Sequence, residues 1–257
     1  MKEFTRRALI VSSWLRVDST DFRLGVKADV TKVKAFLKSG YGGSFIESAE
    51  IWHLHRPPME ELARAMAWVA ASDYAFVYYS GHGMSKGQVP FVALDERMSF
   101  KVETLASLAP RQITIIDTCR NEVGPYSLLE GISGPYGDID VLPWDFAREA
   151  FAGLMQRQPL GRVLIQSSSF DQSSYSTSNG GIFTNALMAA MEPFYRNGTH
   201  GLLKTGAAFR MARREMAKVA EFAQRPEMRQ TSGLGDAGLL FAIQPEVLYR
   251  GYLRRVG

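Results

Sequence analysis

The sequence predicts an α/β fold in which a mostly parallel central sheet carries helices on both faces. Short apolar runs alternate along the chain with segments of helical periodicity, as expected for such a sheet. Most of these runs are continuously apolar, which is typical of strands buried on both faces. The 46% hydrophobic content excludes a disordered protein, and the length of 257 residues suits one larger α/β domain or two very small ones.

Six apolar runs are the strand candidates. They cover residues 8–14, 44–54, 74–80, 112–117, 162–168 and 239–243. Helices are expected where apolar residues recur every three or four positions, over residues 26–37, 59–69, 183–191 and 207–219. A hairpin around 90–96 and a short helix around 102–108 precede the fourth strand. Residues 121–147 combine Gly, Pro and acids without a period, which predicts a long surface loop.

Charge and cysteine content limit the classes of function. The net charge is +4, and the late basic residues are interpreted as a solvated helix face, so nucleic acid is an unexpected partner. The single cysteine, Cys119, cannot form an internal disulfide, and no segment reaches about 18 apolar residues. No signal-peptide cleavage site follows the first apolar run. We therefore expect a cytoplasmic protein that has no membrane partner.

Metal ligands are sparse in the sequence. His53 and His55 lie two residues apart with no cysteine nearby, which is not a zinc pattern. The acids that follow the third and fourth strands are too few and too scattered for a calcium cage. We expect neither a metal nor another cofactor.

Two predicted strand ends carry residues that indicate a reaction. Residues 80–83 read Ser-Gly-His-Gly, and residues 117–119 read Asp-Thr-Cys. If the two strands are parallel neighbours, His82 and Cys119 emerge at one edge of the sheet. A thiol has an ordinary pKa of about 8.5 and needs a base to ionise at neutral pH, which histidine supplies. His82 is thus the candidate base and Cys119 the candidate nucleophile, and the amides of Gly83 and Cys119 are candidate oxyanion donors.

Each of these residues also has a simpler interpretation. A lone cysteine after a buried strand is more often a packed core residue, and a histidine between glycines is often only a turn residue. The pair at matching strand ends is more specific than either residue alone.

These residues resemble the caspase, metacaspase and paracaspase clan. The clan has a Ser-Gly-His-Gly element after one strand and an Asp-x-Cys or Gln-Ala-Cys element after the next, as at residues 80–83 and 117–119. Further likenesses lie at residues 24–30, 171–175, 181–187 and 230–231, so the resemblance covers about residues 6–243. It implies one caspase-like domain over residues 1–257, with a large-subunit-like part (1–120), a linker loop (121–147) and a small-subunit-like part (148–257).

The resemblance implies a cysteine endopeptidase that acts on polypeptides through a Cys–His dyad. Asp117 matches the Arg/Lys-specific members, and Asp29 and Ser80 would join it in lining the S1 pocket. Simpler roles stay open for both, because Asp29 also suits the start of a helix and Ser80 a turn. Ser168 and Ser169 are assigned to the substrate-binding strand.

Other parts of the likeness are weaker. No acid clearly completes a triad, so a backbone carbonyl is expected to orient His82. Fewer residues separate His82 from Cys119 than the about 50 that separate the two residues in caspases. Arg-Asn follows the cysteine, where metacaspases have His-Ser-Gly.

The standalone domain resembles bacterial members that act as regulated effectors of cell death or antiphage defence, activated by a small signal molecule or a protein partner. Three alternatives remain. They are a non-catalytic interaction module on the same fold, a peptidase specific for Asp, and a nucleic-acid-binding regulator built on the late basic helix.

Overall fold

Strands and helices alternate along most of the chain. The computed structural model describes residues 4–87, 89–118, 121–122, 144–169, 174–197, 201–218 and 224–256. The strands are β1 (Arg6–Ser12), β2 (Ile51–His55), β3 (Tyr74–Gly81), β4 (Gly83–Lys86), β5 (Val89–Ala93), β6 (Ser99–Lys101), β7 (Arg111–Thr118), β8 (Asn121–Glu122), β9 (Gly161–Gln166), β10 (Tyr175–Thr177), β11 (Gly180–Gly181), β12 (Leu202–Lys204), β13 (Glu227–Gln230) and β14 (Leu240–Ile243). The helices are α1 (Thr20–Lys38), α2 (Glu47–Glu50), α3 (Met59–Ala70), α4 (Val102–Ala106), α5 (Trp144–Gln156), α6 (Ile182–Asn197), α7 (Thr205–Ala217) and α8 (Pro245–Val256).

Six strands form the central sheet, in the order β13-β9-β7-β3-β1-β2. All neighbours are parallel except β13, which runs antiparallel to β9. Alternate residues of the central strands enter two separate cores. Ile10 and Tyr78 pack with α1, α5 and α6 on one face, and Leu9 and Val77 pack with α3 and α4 on the other. The predicted mixed α/β architecture is therefore confirmed.

Helix α1 begins beside the first strand and crosses one face of the sheet. The side chain of Ser19 accepts a hydrogen bond from the Phe22 amide and caps the first turn, which satisfies one of the backbone donors that every helix start leaves free. Val26, Val30 and Val33 lie on the buried face of α1. Because this face packs against the sheet, the helix is fixed relative to the strand ends.

Three sequence expectations need correction. The run at 44–54 is not one strand, because residues 47–50 form α2, whose last residue Glu50 turns back to accept the Ile46 amide. The run at 239–243 yields β14, which pairs antiparallel with β12 outside the central sheet. The expected loop at 121–147 ends earlier, because α5 already begins at residue 144; residues 123–143 lie outside the described residues.

Short strands fill the interval between β3 and β7. The expected hairpin near 90–96 is part of a three-stranded antiparallel sheet in the order β4-β5-β6, and α4 follows it directly. β4 starts one residue after His82. The small sheet therefore holds the chain immediately beyond this residue.

Three of the late basic residues lie on an exposed face of α7, whereas Arg225 and Arg229 lie outside this helix. Arg210, Arg213 and Arg214 are exposed, and Phe209 and Ala212 on the other side of the helix are buried. This arrangement fits the interpretation as a solvated helix face. No helix within the described ranges has the length and apolar character needed to span a membrane.

A buried ion cluster ties α5 to the first strand. The carboxylate of Glu50 contacts Arg148 at 2.6 and 2.8 Å and Arg6 at 3.1 Å. The guanidinium of Arg6 also lies over the ring of Phe45, 4.5 Å from its centroid. Burial raises the pKa of Glu50, but the Arg148 hydrogen bond, the Ile46 amide and the Arg6 charge outweigh it, so the pKa lies below its ordinary value.

Glu50→Gln should destabilise the fold strongly. Removing one member of a buried charged cluster leaves the arginine charges uncompensated, and we expect a loss of about 3–5 kcal/mol in the free energy of unfolding. Denaturant-induced unfolding at neutral pH measures this loss. Glu47→Gln, three residues earlier in an exposed pair with Lys34 and Lys38, is the matched control and should change stability by less than about 1 kcal/mol.

The difference between wild type and Glu50→Gln should also depend on pH. The pKa of Glu50 in the folded protein is depressed below its ordinary value of 4.5. Its contribution to the free energy of unfolding is therefore complete above pH 4.5 and is lost as the pH falls through the folded pKa. A difference that grows on acidification would contradict this account.

Candidate active site

The site lies where two neighbouring parallel strands end. β3 and β7 pair residue for residue, with Ser80 opposite Asp117 and Gly81 opposite Thr118. His82 follows directly after Gly81. The chain passes from Thr118 into Cys119, which lies outside the described residues. The histidine segment and the strand that leads into the cysteine are thus adjacent, as the sequence predicted.

His82 is held both through its ring and through its backbone carbonyl. Its Nε2 lies 2.8 Å from Oδ2 of Asp18, in the segment between β1 and α1. The ring of Phe22, from the first turn of α1, stacks on the imidazole with centroids 4.3 Å apart and planes 7° apart. The carbonyl oxygen of His82 accepts hydrogen bonds from the Tyr79 hydroxyl at 2.9 Å and the Ala93 amide at 3.0 Å. The imidazole is therefore fixed in position and still partly exposed.

Asp18 was not found from the sequence, which instead predicted a backbone carbonyl beside His82. The carboxylate belongs to a short segment with no recognisable spacing to the histidine, 64 residues away in the chain. Its position depends instead on the order of the strands in the sheet. Because β1 is the neighbour of β3 in the sheet, the residues after β1 must emerge beside those after β3.

Gly83 lies against the residue that precedes the cysteine. A Cβ added at Gly83 would come within 2.6 Å of the Thr118 Cβ, closer than side chains tolerate, so only glycine permits this approach. A small recess lies beside the two residues, and its lining includes Ser168, Ser169 and Gln166. The structure thus brings Gly83, Ser168 and Ser169, which the sequence assigned to substrate contacts, around one recess.

The three residues assigned to S1 form a second cluster. Asp29 accepts hydrogen bonds from the Ser80 hydroxyl at 2.8 Å and the Gly181 amide at 2.9 Å. Asp117 accepts from the amide and hydroxyl of Thr184 at 3.0 and 2.6 Å. The two aspartates are only 1% and 0% exposed. The structure therefore brings Asp29, Ser80 and Asp117 together in the interior.

Both carboxylates have raised pKa values. Burial raises the pKa of Asp29 well above its ordinary value and the negative Asp117 raises it further, although hydrogen bonds from Ser80 and Gly181 and the charge of Lys32 oppose the shift. Burial also raises the pKa of Asp117, against the two hydrogen bonds from Thr184. No ion pair with either carboxylate occurs among the described residues. Two close acids that no salt bridge neutralises are electrostatically unfavourable and typical of functional sites.

Glycines at 180 and 181 close the space over the acids. A Cβ at Gly181 would lie 2.4 Å from Oδ2 of Asp117, and one at Gly180 would lie 2.3 Å from Oδ1 of Asp29. Gly180 also has a φ of +112°, a conformation that favours glycine. The main chain of β11 is therefore in direct contact with the two acids.

The histidines of β2 lie away from these clusters. Nε2 of His53 and Nδ1 of His55 lie 3.0 and 3.1 Å from the hydroxyl of Ser12. Burial, together with the nearby charge of Lys34, lowers the pKa of His53 to about 4, so this ring is neutral near pH 7. Within the described ranges, no group of three or more His, Cys, Asp or Glu side chains could hold a metal ion.

Comparisons with known proteins agree with this fold. The chain is similar to a caspase-1 crystal structure from Spodoptera frugiperda with a TM-score of 0.54 and 15% identity, over 94% of this chain and 91% of that one. It is also similar to a protein from Geobacter sulfurreducens, with a TM-score of 0.52 and 14% identity over 93% and 99% of the two chains. A structure of pro-sf-caspase-1 matches with a TM-score of 0.51 and 14% identity over 92% and 95%. At these identities the likeness concerns the fold.

A search of curated protein sequences finds no match. The family comparison is more specific, because the model of the caspase domain matches residues 5–235. That match spans both strand ends, the aspartate cluster and β13. The chain belongs to the caspase domain family of cysteine peptidases.

Proposed function

We propose that the protein is a cysteine endopeptidase with Cys119 as nucleophile and His82 as general base. The observation that carries this proposal is the register of β3 and β7, in which Gly81 pairs with Thr118. The two strands therefore end side by side, directly before His82 and Cys119 in the sequence. The base is already held through its ring by Asp18 and Phe22 and through its backbone carbonyl by Tyr79, as a group that must accept a proton in a fixed geometry should be.

The proposed reaction is peptide-bond hydrolysis through a covalent thioester. The Cys119 thiol gives its proton to the imidazole of His82, and the thiolate attacks the carbonyl carbon of the scissile peptide bond. The amides of Gly83 and Cys119 donate hydrogen bonds to the oxyanion that forms. The imidazolium then gives the proton to the leaving amine, and water hydrolyses the thioester. The close approach of Gly83 to Thr118 supports its role, because it brings this amide beside the nucleophile's neighbour in the chain.

Cys119→Ala and His82→Ala should each abolish peptide cleavage and leave the fold intact. The two groups act as one unit, so the double variant should be no less active than either single variant. A panel of fluorogenic peptides that varies the P1 residue measures this, with circular dichroism as the check on folding. Hydrolysis at the wild-type rate by Cys119→Ala would refute the assignment.

Cleavage after Arg or Lys is the specificity that the aspartate cluster supports best. Asp29 and Asp117 lie close together, are buried and have raised pKa values. A P1 guanidinium or ammonium would supply a positive charge that pairs with the two carboxylates, and a P1 aspartate would be repelled. Oδ1 of Asp117 makes no hydrogen bond within the described part of the chain, so it is the acceptor best placed to bind such a group.

Asp117→Asn should reduce kcat/KM for peptides with P1 Arg by at least about a hundredfold, because a buried charge pair loses one member. The same change should not lower stability at neutral pH. The folded pKa of Asp117 lies above its ordinary value of 3.8, so the ionised group destabilises the folded state as the pH rises above that value. The P1 peptide panel and thermal unfolding at pH 7 measure the two effects.

The exposed Asp236 supplies the control, since Asp236→Asn should change neither kcat/KM for peptides with P1 Arg nor the thermal stability at pH 7. Preferential cleavage after Asp by the wild type would instead support the alternative of a peptidase with caspase-like specificity.

Activation is proposed to require a rearrangement around the aspartates. In the state described here, β11 lies against both carboxylates, which are almost inaccessible. A P1 side chain therefore needs this contact to open. A bound ligand or partner that favours an open state would switch the enzyme on. Such control suits a bacterial effector of cell death or antiphage defence acting in the cytoplasm, whose substrate is a polypeptide.

Activation should not involve self-cleavage within the linker loop. Residues 121–147 contain no Lys or Arg, so an enzyme with an acidic S1 pocket has no cognate bond there. Intact-mass measurement of the activated enzyme should show a single chain through this loop. Fragments that end after Asp138, Asp140 or Asp145, and that are missing with Cys119→Ala, would overturn both the single-chain activation and the basic specificity.

A further inference from the structure

The carboxylate of Asp18 forms the polar contact to the ring of His82. The two atoms, Oδ2 and Nε2, are 2.8 Å apart, and the side chain of Asp18 is 8% exposed against 22% for His82. We propose that Asp18 is a positioning residue that holds the catalytic imidazole in one orientation and one tautomer. This rests on the proposed function, because it presupposes that His82 is the base.

The Asp18 carboxylate is itself fixed in place. The amide of Leu15 donates to Oδ2 at 2.5 Å, and the Asp18 amide donates to the Leu15 carbonyl at 3.3 Å. The next residue, Ser19, caps α1. The carboxylate therefore lies beside the start of a 19-residue helix, where the helix dipole favours negative charge. A carboxylate constrained in this way can orient a partner rather than follow it.

The segment that carries Asp18 is anchored to the strands around His82. The Ser13 amide donates to the Ser80 carbonyl at 3.0 Å, and its hydroxyl donates to the Leu94 carbonyl at 2.7 Å. The Arg16 amide donates to the Glu96 carboxylate at 2.7 Å. The segment is thus tied to β3 and to the turn between β5 and β6. Asp18 and His82 are consequently held in one local framework.

The chemistry assigns one nitrogen of the ring to each task. An ionised carboxylate can only accept, so Nε2 of His82 must carry the proton in the contact with Asp18. The neutral ring then has its lone pair on Nδ1, which has no hydrogen-bond partner among the described residues. Nδ1 can receive the thiol proton of Cys119 and later return it to the leaving amine. In the imidazolium stage, Asp18 pairs with the positive ring, and the stacked Phe22 face also favours the cation.

The first test measures the reactivity of the nucleophile without a substrate or activator. Cys119 is the single cysteine, so its alkylation by iodoacetamide reports the thiolate directly. Asp18→Asn keeps a hydrogen-bond acceptor but removes the charge, and alkylation near neutral pH should slow by about tenfold or more, as for the loss of an orienting partner. His82→Ala should slow it further. Asp21→Asn, an exposed acid in the first turn of α1, should leave the rate unchanged.

The second test separates positioning from a purely structural role. Asp18→Asn should lower kcat about 10- to 100-fold with KM changed less than about threefold, which is less than the about 10²–10⁴-fold effect of the general base itself. Asp18→Glu should recover part of the loss, because it restores the carboxylate. In ¹⁵N spectra, the signals that disappear in His82→Ala should show the Nε2–H tautomer in wild type and a mixture of tautomers in Asp18→Asn.

The outcomes distinguish this inference from the proposed function. Wild-type alkylation and wild-type tautomer in a folded Asp18→Asn protein would overturn the role of Asp18 and leave the dyad in place. Peptide cleavage by Cys119→Ala would overturn the dyad itself. If Asp18→Asn does not fold, Asp18→Glu with an unchanged alkylation rate and a mixed tautomer would equally contradict positioning by the native carboxylate.

Discussion

The residues of β3 pair one for one with those of β7, from Tyr74 opposite Arg111 to Gly81 opposite Thr118. Both strands are buried on both faces, so the side chains of each strand pack into a hydrophobic core on one face or the other. A shift of one residue would move every side chain to the opposite face. It would separate Ser80 from Asp117 and displace the segment after Gly81 relative to the end of β7. Both the aspartate cluster and the base thus depend on this register.

The aspartate cluster is an unfavourable feature that the rest of the core sustains. Burial raises the pKa values of both carboxylates, which means that their charged forms are less stable in the folded protein than in water. Hydrogen bonds from Ser80, Gly181 and Thr184 offset part of this penalty. Replacing buried charged groups with neutral ones is often neutral or stabilising, so stability alone does not explain the presence of this pair.

The sequence indicated the strands that are fully buried far better than the others. β3 and β7 are continuous apolar runs, and their predicted bounds differ from the observed ones by at most one residue at each end. β13 was missed because an antiparallel edge strand is half exposed and its sequence, Glu-Met-Arg-Gln, has no apolar run. The stretch 44–54 was mistaken for one strand because periodicity alone cannot show that Glu50 turns inward to meet Arg6 and Arg148.

The sequence predicted a site residue only where a suitable residue type also lay within a recognisable motif. His82 follows a strand within a recognisable motif, and Asp29, Ser80 and Asp117 were grouped by resemblance before the structure placed them together. Asp18 carries no such signal. Its contact with His82 depends on the order of strands in the sheet and on the path of the segment after β1. The spacing of residues in the sequence predicts neither.

Helix α1 links the two halves of the site. Its start carries Phe22, which stacks on His82, and directly follows Asp18. Asp29, in the aspartate cluster, lies nine residues beyond Thr20 on the same helix, roughly 13 Å along its axis at about 1.5 Å per residue. A helix transmits displacement along its length as a nearly rigid rod. If the protein works as proposed, movement of Asp29 as a P1 cation enters would also shift the support of the His82 imidazole and so couple recognition of the P1 side chain to alignment of the base.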